Sequence, residues 1–203
     1  MILVRHGQTE WNRVERFRGR VDLELTEAGV KQAEATARRL VREPIAAVYS
    51  SPLKRTMTTA GVLARPLGLP VTPFEYLIDV DFGNWRGLSL EEAQKADAGL
   101  YRLWVERPDL VTFPGGEGLA QVRDRFDTGL KLLAGRHKDQ TILLVSHKAV
   151  CKVIELVFLG LDNSHFWQVE QDLCAVNIFS LTDDRGPVAL KLNDTCHLKG
   201  LRA

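Results

Sequence analysis

The chain has 203 residues, 45% hydrophobic and 26% charged, which is ordinary for one globular unit with a sizeable core. Its formal net charge of +1 provides no broad basic field, so nucleic-acid binding is not expected. The longest apolar stretch after His147, residues 153–161, contains Glu155 and is too short to cross a bilayer. The chain opens directly into an apolar strand, so we expect no targeting segment. Three cysteines without metal-type spacing suit free thiols in a reducing cytoplasm, where we expect the protein.

The first informative element is an apolar run at residues 1–4 that reads as a strand and stops at Arg5, His6 and Gly7. A cation, an imidazole and a flexible turn then lie at the carboxyl edge of a strand, where open α/β sheets bind ligands. A glycine there allows the backbone to approach a bound anion closely. The pattern predicts an anion site, with phosphate as the natural ligand.

Two later segments repeat this pattern. An apolar run at 45–49 leads into SSPLKRT, and another at 141–145 leads into SHKA. If the three strands are parallel neighbours, their polar ends converge on one pocket. The four basic side chains that would meet there are Arg5, His6, Arg55 and His147.

The remaining elements alternate between helix and strand. Thr26 can cap a helix that Pro44 ends, and Pro52 lies near the first turn of a helix running to about Ala64. Further elements in chain order are a short strand at 69–71, a helical stretch at 88–106 broken at Gly99, a helix at 119–133, a helix ending at Gly160, and strands at 175–181 and 188–192 joined by a turn at 183–186.

This alternation, with near-continuous apolar strands, predicts an α/β three-layer sandwich with a mainly parallel central sheet and helices on both faces. We expect a single domain over residues 1–203, in which residues 74–114 form a lid beside the pocket. The lid would carry Asp79, Trp85, Tyr101 and Trp104, and aromatic side chains in such a segment more often pack than bind a ligand.

Several spaced motifs give the chain a family resemblance. They are LVRHGQTEWN at 3–12, LTEAG at 25–29, SSPLKRT at 50–56, FGNWRG at 82–87, PGGE at 114–117 and VSH at 145–147. In this order they resemble the histidine phosphatases, or phosphoglycerate-mutase-like superfamily, whose hallmark is Arg-His-Gly near the amino terminus. The resemblance implies a metal-independent phosphomonoesterase that forms a phosphohistidine and needs no cofactor.

The chemistry of the four basic residues agrees with that reading. The planar forks of Arg5 and Arg55 suit the oxygens of a phosphomonoester, which carries close to two negative charges. His6 is the expected nucleophile, because neutral imidazole can attack phosphorus without first losing a proton. His147 is expected to donate to the phosphoryl oxygens during transfer.

A carboxyl group is needed to protonate the leaving oxygen and later to activate water. The resemblance places a glutamate where this chain reads LIDVDFG at 77–83, so the position falls to Asp79. Aspartate is one methylene shorter, about 1.5 Å. Asp81 is the rival candidate, and in a third interpretation both aspartates only cap the turn before Gly83.

Three further residues are expected to contact substrate. The resemblance assigns Asn12 to the phosphate or its ester oxygen, and places Arg18 at the pocket mouth, where it could bind a second anion such as a carboxylate or remain solvated. Lys148 stands where relatives often have glycine and adds an ammonium beside the pocket, unless it points outward. A metal between His6 and His147 is disfavoured, because the flanking arginines would repel a cation.

Three functions stay open at this point. The first is a phosphatase for a small metabolite such as phosphoserine, ribazole phosphate or a sugar phosphate, although phosphoserine phosphatases of this kind often carry histidine at the position of Phe82. The second is a phosphoglycerate mutase, and the third is an inactive member that only binds a phosphorylated ligand. The expected partner is a small phosphomonoester, with no nucleic acid or membrane, and a homodimer is left open.

Overall fold

The computed structural model describes residues 1–182 and 186–201. Its strands are β1 (Ile2–Arg5), β2 (Ile45–Ser50), β3 (Val71–Pro73), β4 (Thr141–Ser146), β5 (Val176–Thr182) and β6 (Gly186–Asp194). Its α-helices are α1 (Glu10–Arg13), α2 (Glu27–Leu40), α3 (Lys54–Ala64), α4 (Leu90–Ala96), α5 (Ala98–Glu106), α6 (Leu119–Arg136) and α7 (Lys148–Leu159). Apart from Gly186, the turn predicted at 183–186 lies outside the described residues.

The strands form one sheet in the order β3-β2-β4-β1-β5-β6. The pairs β3–β2, β2–β4 and β4–β1 are parallel, whereas β5 runs antiparallel to β1 and β6 antiparallel to β5. Arg5 lies opposite Ser146, and Ser50 lies opposite Val145. The three strands that end in polar motifs are therefore parallel neighbours, as the sequence predicts, and their carboxyl ends share one edge.

Alternation along each strand divides the core between the two faces of the sheet. In β4, Ile142 and Leu144 belong to one hydrophobic cluster, whereas Leu143 and Val145 belong to the other. Helices α6 and α7 pack in the first cluster, through Val122, Phe126, Val150 and Ile154 among others. Helices α2 and α3 pack in the second, through Ala33, Leu40, Ala60 and Leu63. The predicted sandwich is confirmed.

Residues 74–114 lie on the first face and consist of α4, α5 and short 3-10 turns. Trp85 is buried there, with ring centroids 5.0 Å from Phe17 and 5.2 Å from Phe113. The predicted helix break at Gly99 is wrong, because the chain breaks at Asp97. The Asp97 carboxylate accepts from the Leu100 backbone N–H at 2.9 Å, a cap that a glycine cannot supply.

Candidate active site

Five of the predicted residues come together at the shared strand edge. Arg5 ends β1 and His6 follows it, Arg55 lies in the first turn of α3 after β2, and His147 follows β4. The His6 and His147 ring centroids are 5.3 Å apart. Asp79 reaches this group from the 74–114 segment, with Oδ2 2.9 Å from Arg55 Nη2. All five side chains are buried.

A cavity of about 300 Å³ lies beside this group. Arg5, Asn12, Arg18, Asp79 and Lys148 line it, together with aromatic side chains from the 74–114 segment and from residues 166–167. The imidazole of His6 is buried and is not itself part of the cavity lining.

The hydrogen bond of His6 fixes its tautomer. Nδ1 lies 2.7 Å from the Gly7 carbonyl oxygen, which can only accept, so Nδ1 carries the proton. The Nε2 lone pair is left available for attack on phosphorus. Burial, and then the charges of Arg55, Arg5 and Arg18, hold the pKa of His6 well below its usual value. His6 is therefore a neutral nucleophile.

This depressed pKa can be measured directly. We expect the His6 ring resonances in NMR spectra to keep neutral-form chemical shifts at pH 6, where a histidine of an unfolded chain, with a pKa of about 6.5, is mostly protonated. Because the folded pKa is lowered, protonation of His6 should begin only well below pH 6.5. The resonances are assigned from their absence in His6→Gln. A midpoint at or above pH 6.5 would contradict the assigned electrostatics.

Arg55 is held by groups of the protein itself. Its Nη1 donates to the Val21 carbonyl at 2.7 Å, and its Nη2 donates to the Gly19 carbonyl at 2.8 Å and to Asp79. Its Nε donates to His147 Nδ1 at 3.1 Å. These bonds fix the guanidinium plane, so that Arg55 neutralises charge from a preset position.

His147 is engaged at both ring nitrogens. Because Nδ1 accepts from Arg55, Nε2 carries the proton and donates to Ser51 Oγ at 2.7 Å. Burial, followed by the Arg55 charge, lowers the pKa of His147 well below its usual value. Donation to a phosphoryl oxygen, the role expected from the sequence, stays a prediction that requires Nε2–H to leave Ser51.

Asp79 and Asp81 have different surroundings. Burial raises the pKa of Asp79, although Arg55 and Arg18 oppose that shift, and a raised pKa suits a proton donor. Asp81 Oδ1 instead accepts from the Gly83 N–H and from Arg86 Nη2, both at 3.0 Å. Asp81 thus caps the turn and lies outside the cavity wall, whereas Asp79 belongs to the site.

The predicted substrate-binding residues all line the cavity. The Asn12 Oδ1 accepts from the Thr9 N–H at 2.9 Å, so its NH2 group is the part left to donate to a ligand. Arg18 donates through Nη1 to the Trp11 carbonyl at 3.0 Å, while its Nε is buried with no hydrogen-bond partner among the described residues. Arg5 Nε is buried and unpaired in the same way. Both guanidinium groups keep donors for an anion.

Sequence comparison identifies the family. Residues 1–195 match the histidine phosphatase superfamily (branch 1). The chain belongs to this superfamily. It is 41% identical over 198 residues to phosphoserine phosphatase 1 of Hydrogenobacter thermophilus, an alignment that covers 98% of this chain and 93% of that protein.

Solved structures agree with this histidine phosphatase fold. YhfR of Bacillus stearothermophilus superimposes with a TM-score of 0.92 at 27% identity, covering 97% of this chain and 98% of that one. A phosphoserine phosphatase of Entamoeba histolytica, solved with 3-phosphoglyceric acid, gives 0.87 at 28% identity, covering 97% and 98%. The predicted family, fold and enzyme class, a histidine-type phosphomonoesterase, are confirmed.

Arg125, which the sequence did not single out, and Glu117 of the PGGE motif hold Asp79 of this phosphatase in place. Arg125 of α6 donates through Nη1 to the Tyr76 carbonyl at 2.7 Å and through Nη2 to the Ile78 carbonyl at 2.6 Å. Glu117 Oε1 accepts from the Asp81 N–H at 3.1 Å and from Arg125 at 3.3 Å. The chain on either side of Asp79 is thus tied to α6.

Potential metal ligands cluster elsewhere. Within the described ranges, one group of three, Asp194, Cys196 and His197, has ligand atoms within 4.8 Å of one another. It lies near the carboxyl end of the chain, and none of its members lines the cavity. Cys196 of this group is exposed to solvent. No described helix is long and apolar enough to cross a membrane.

Proposed function

We propose that this histidine phosphatase hydrolyses phosphoserine through a phosphohistidine at His6. One observation carries the reaction: a neutral imidazole with a committed Nδ1–H and an available Nε2 lies buried among arginines and beside a carboxyl group of raised pKa. The substrate is supported by the 41% identity to phosphoserine phosphatase 1 over almost the whole of both chains.

The first half-reaction transfers the phosphoryl group to the enzyme. Nε2 of His6 attacks phosphorus as the bond from phosphorus to the ester oxygen breaks, and Asp79 gives its proton to the departing oxygen. Arg5 and Arg55 neutralise the phosphoryl oxygens. Asp79 is left ionised next to Arg55, which stabilises the carboxylate.

The second half-reaction returns the enzyme to its starting state. Asp79, now a base, takes a proton from water as the water oxygen attacks phosphorus and the nitrogen–phosphorus bond breaks. Inorganic phosphate leaves, His6 is neutral again, and Asp79 is protonated for the next turnover. One carboxyl group thus serves both steps without any metal.

The decisive assay is phosphate release from O-phosphoserine by the purified protein, with ribazole phosphate and sugar phosphates as competitors. Interconversion of 2- and 3-phosphoglycerate is followed in parallel, which tests the mutase alternative. We expect phosphoserine to have the highest kcat/KM and interconversion to be slow relative to hydrolysis. Faster interconversion, or binding without turnover of any ester, would overturn the proposal.

Removal of metals should leave the activity unchanged. The positive charges of Arg5, Arg18 and Arg55 around His6 would repel a divalent cation. After dialysis against EDTA we expect the rate of phosphoserine hydrolysis to stay within about twofold of the untreated rate. This is a small change on the scale where a tenfold change in rate corresponds to about 1.4 kcal/mol of activation free energy. A metal-dependent phosphatase treated identically is the control. Loss of activity that added Mg²⁺ or Zn²⁺ restores would refute a metal-independent mechanism.

We further propose that the chain forms a single domain in which residues 74–114 close over the cavity as a lid. In this proposal the cavity binds a small phosphomonoester, and a cytoplasmic location remains the expectation from the free cysteines. Size-exclusion chromatography with light scattering measures whether two chains associate.

A further inference from the structure

Lys152 has no part in the phosphoryl-transfer chemistry, yet it is buried and lines the cavity. It lies one turn after Lys148 on α7, so both side chains are on the same face of that helix. Its Nζ has no hydrogen-bond partner within the part of the chain that the structure describes. A buried ammonium without hydrogen bonds is costly, and a ligand that accepts from it would remove that cost.

Aromatic rings hold the Lys152 ammonium in this position. Its Nζ lies 4.9 Å from the ring centroid of Phe166 and 4.8 Å from that of Trp167. Such contacts are attractive for a cation but satisfy none of its N–H donors. Burial lowers the pKa of Lys152 to about 8, so the group is still mainly protonated at neutral pH. The donors therefore remain available to an anion in the cavity.

One carboxylate, that of Glu170, already lies between the two ammonium groups. Its Oε1 is 2.5 Å from Lys148 Nζ, and its Oε2 is 3.6 Å from Lys152 Nζ. The Glu170 side chain is 57% exposed, whereas that of Lys152 is 1% exposed. The Glu170 side chain can therefore rotate into solvent with little cost in free energy when a ligand replaces it, while Lys152 stays in the cavity wall.

We propose that Lys148 and Lys152 form a carboxylate subsite of the substrate, and that Glu170 occupies it until substrate displaces it. This inference rests on the proposed phosphatase function and specifies its substrate class: a small phosphomonoester that also carries a carboxylate. The phosphoryl end lies toward Arg5 and Asp79, and the carboxylate toward Lys152, since all three residues line one cavity.

A carboxylate fits this subsite better than a second phosphate. Glu170 shows that a planar group with one oxygen for each ammonium matches the spacing of the two lysines. The cavity volume of about 300 Å³ is at the lower end of the range for small-molecule sites, which favours a compact substrate. Phosphoserine meets both conditions, as does 3-phosphoglycerate, which accompanies the structurally similar Entamoeba histolytica enzyme.

The test compares two esters that differ by the carboxylate alone, O-phosphoserine and O-phosphoethanolamine. The readout is the ratio of their kcat/KM values. In Lys152→Met we expect this ratio to fall about 10- to 100-fold, mainly through a higher KM for phosphoserine, which is the range for hydrogen bonds to charged groups. Lys152→Arg keeps the charge and should restore most of the ratio. Lys95→Met, a change at an exposed lysine, is the matched control.

Glu170→Gln provides a test with the opposite sign. It removes the competing charge, so the KM for phosphoserine should fall several-fold while that for phosphoethanolamine stays the same. If the ratio is unchanged in Lys152→Met, the subsite is refuted. It is refuted as well if Glu170→Gln raises the KM for phosphoserine at a pH low enough to keep Lys152 protonated without the Glu170 charge, which raises the Lys152 pKa. Thermal unfolding shows that each variant is folded before it is scored.

The failure of this inference and that of the proposed function can be told apart. If the parent protein turns over p-nitrophenyl phosphate but not phosphoserine, the proposed substrate is wrong. The subsite is then judged by inhibition of p-nitrophenyl phosphate hydrolysis. Stronger inhibition by phosphoserine than by phosphoethanolamine, lost in Lys152→Met, supports it, and equal inhibition by the two esters refutes it.

Discussion

Replacing His6 with alanine is expected to lower kcat for phosphoserine by about 10⁴-fold or more, the scale seen when a covalent nucleophile is removed. The imidazole is the only group at the site with an available nitrogen lone pair and an orientation fixed by a backbone carbonyl, among the residues that the structure describes. Water attacking directly would lose both the positioning and the two-step path. Steady-state phosphate release measures the effect.

His165→Ala is the matched control for that loss. His165 is half-buried, bonds locally to Asp162 and lies outside the cavity wall. Its variant should keep kcat close to the parent value, because the side chain touches neither the cavity nor the reacting groups. Retention of more than a tenth of the parent activity by a folded His6→Ala protein would contradict the assigned nucleophile.

Asp79→Asn is expected to affect substrates according to their leaving group. Loss of a general acid costs about 10²- to 10⁴-fold in the first step for phosphoserine, whose alkoxide needs a proton. The phenolate of p-nitrophenyl phosphate leaves without one, so that ester should still phosphorylate His6 in a burst. Hydrolysis of the phosphoenzyme then lacks its base, and phosphohistidine accumulates. Rapid-quench measurement of nitrophenolate and bound phosphate separates the two steps.

The neighbouring aspartate supplies the control for this variant. Asp81 caps the turn at Gly83 and pairs with Arg86, so Asp81→Asn should change stability rather than leaving-group dependence. Asp79→Glu keeps a carboxyl group and should retain part of the proton transfer. Equal losses with both esters in the phosphorylation step of Asp79→Asn, or a leaving-group effect that appears in Asp81→Asn instead, would assign the proton to another residue.

The sequence predicts the core of this site because three local patterns meet at one edge. Each apolar strand stops at a polar residue, and the parallel register of Arg5 with Ser146 aligns those ends. The helix capped by Thr26 also forms, with Thr26 Oγ1 accepting from the Gly29 N–H at 3.1 Å. Patterns of this kind depend on residues close in the chain, which is why they can be read without a structure.

Contacts between distant segments could not be read in this way. Ser51 bonds His147 across 96 positions. In the sequence, Lys152 lies within an apolar helix and nothing near it in the chain indicates a role. Its contacts with the Phe166 and Trp167 rings, which hold the ammonium in the cavity wall, are visible only in the structure. The same holds for Gly7, where a Cβ would lie 2.4 Å from the Gly29 carbonyl oxygen, so packing against α2 requires a glycine there.

The most direct test of the proposed reaction is to find the phosphorylated residue. Enzyme turning over phosphoserine is quenched in alkali, which preserves phosphohistidine, and its peptides are sequenced by mass spectrometry. We expect one phosphoryl group on His6 in the peptide that contains Arg5 and Gly7, and a larger amount of it in Asp79→Asn given p-nitrophenyl phosphate. A phosphoryl group on another residue, or turnover without any phosphoenzyme, would contradict the mechanism.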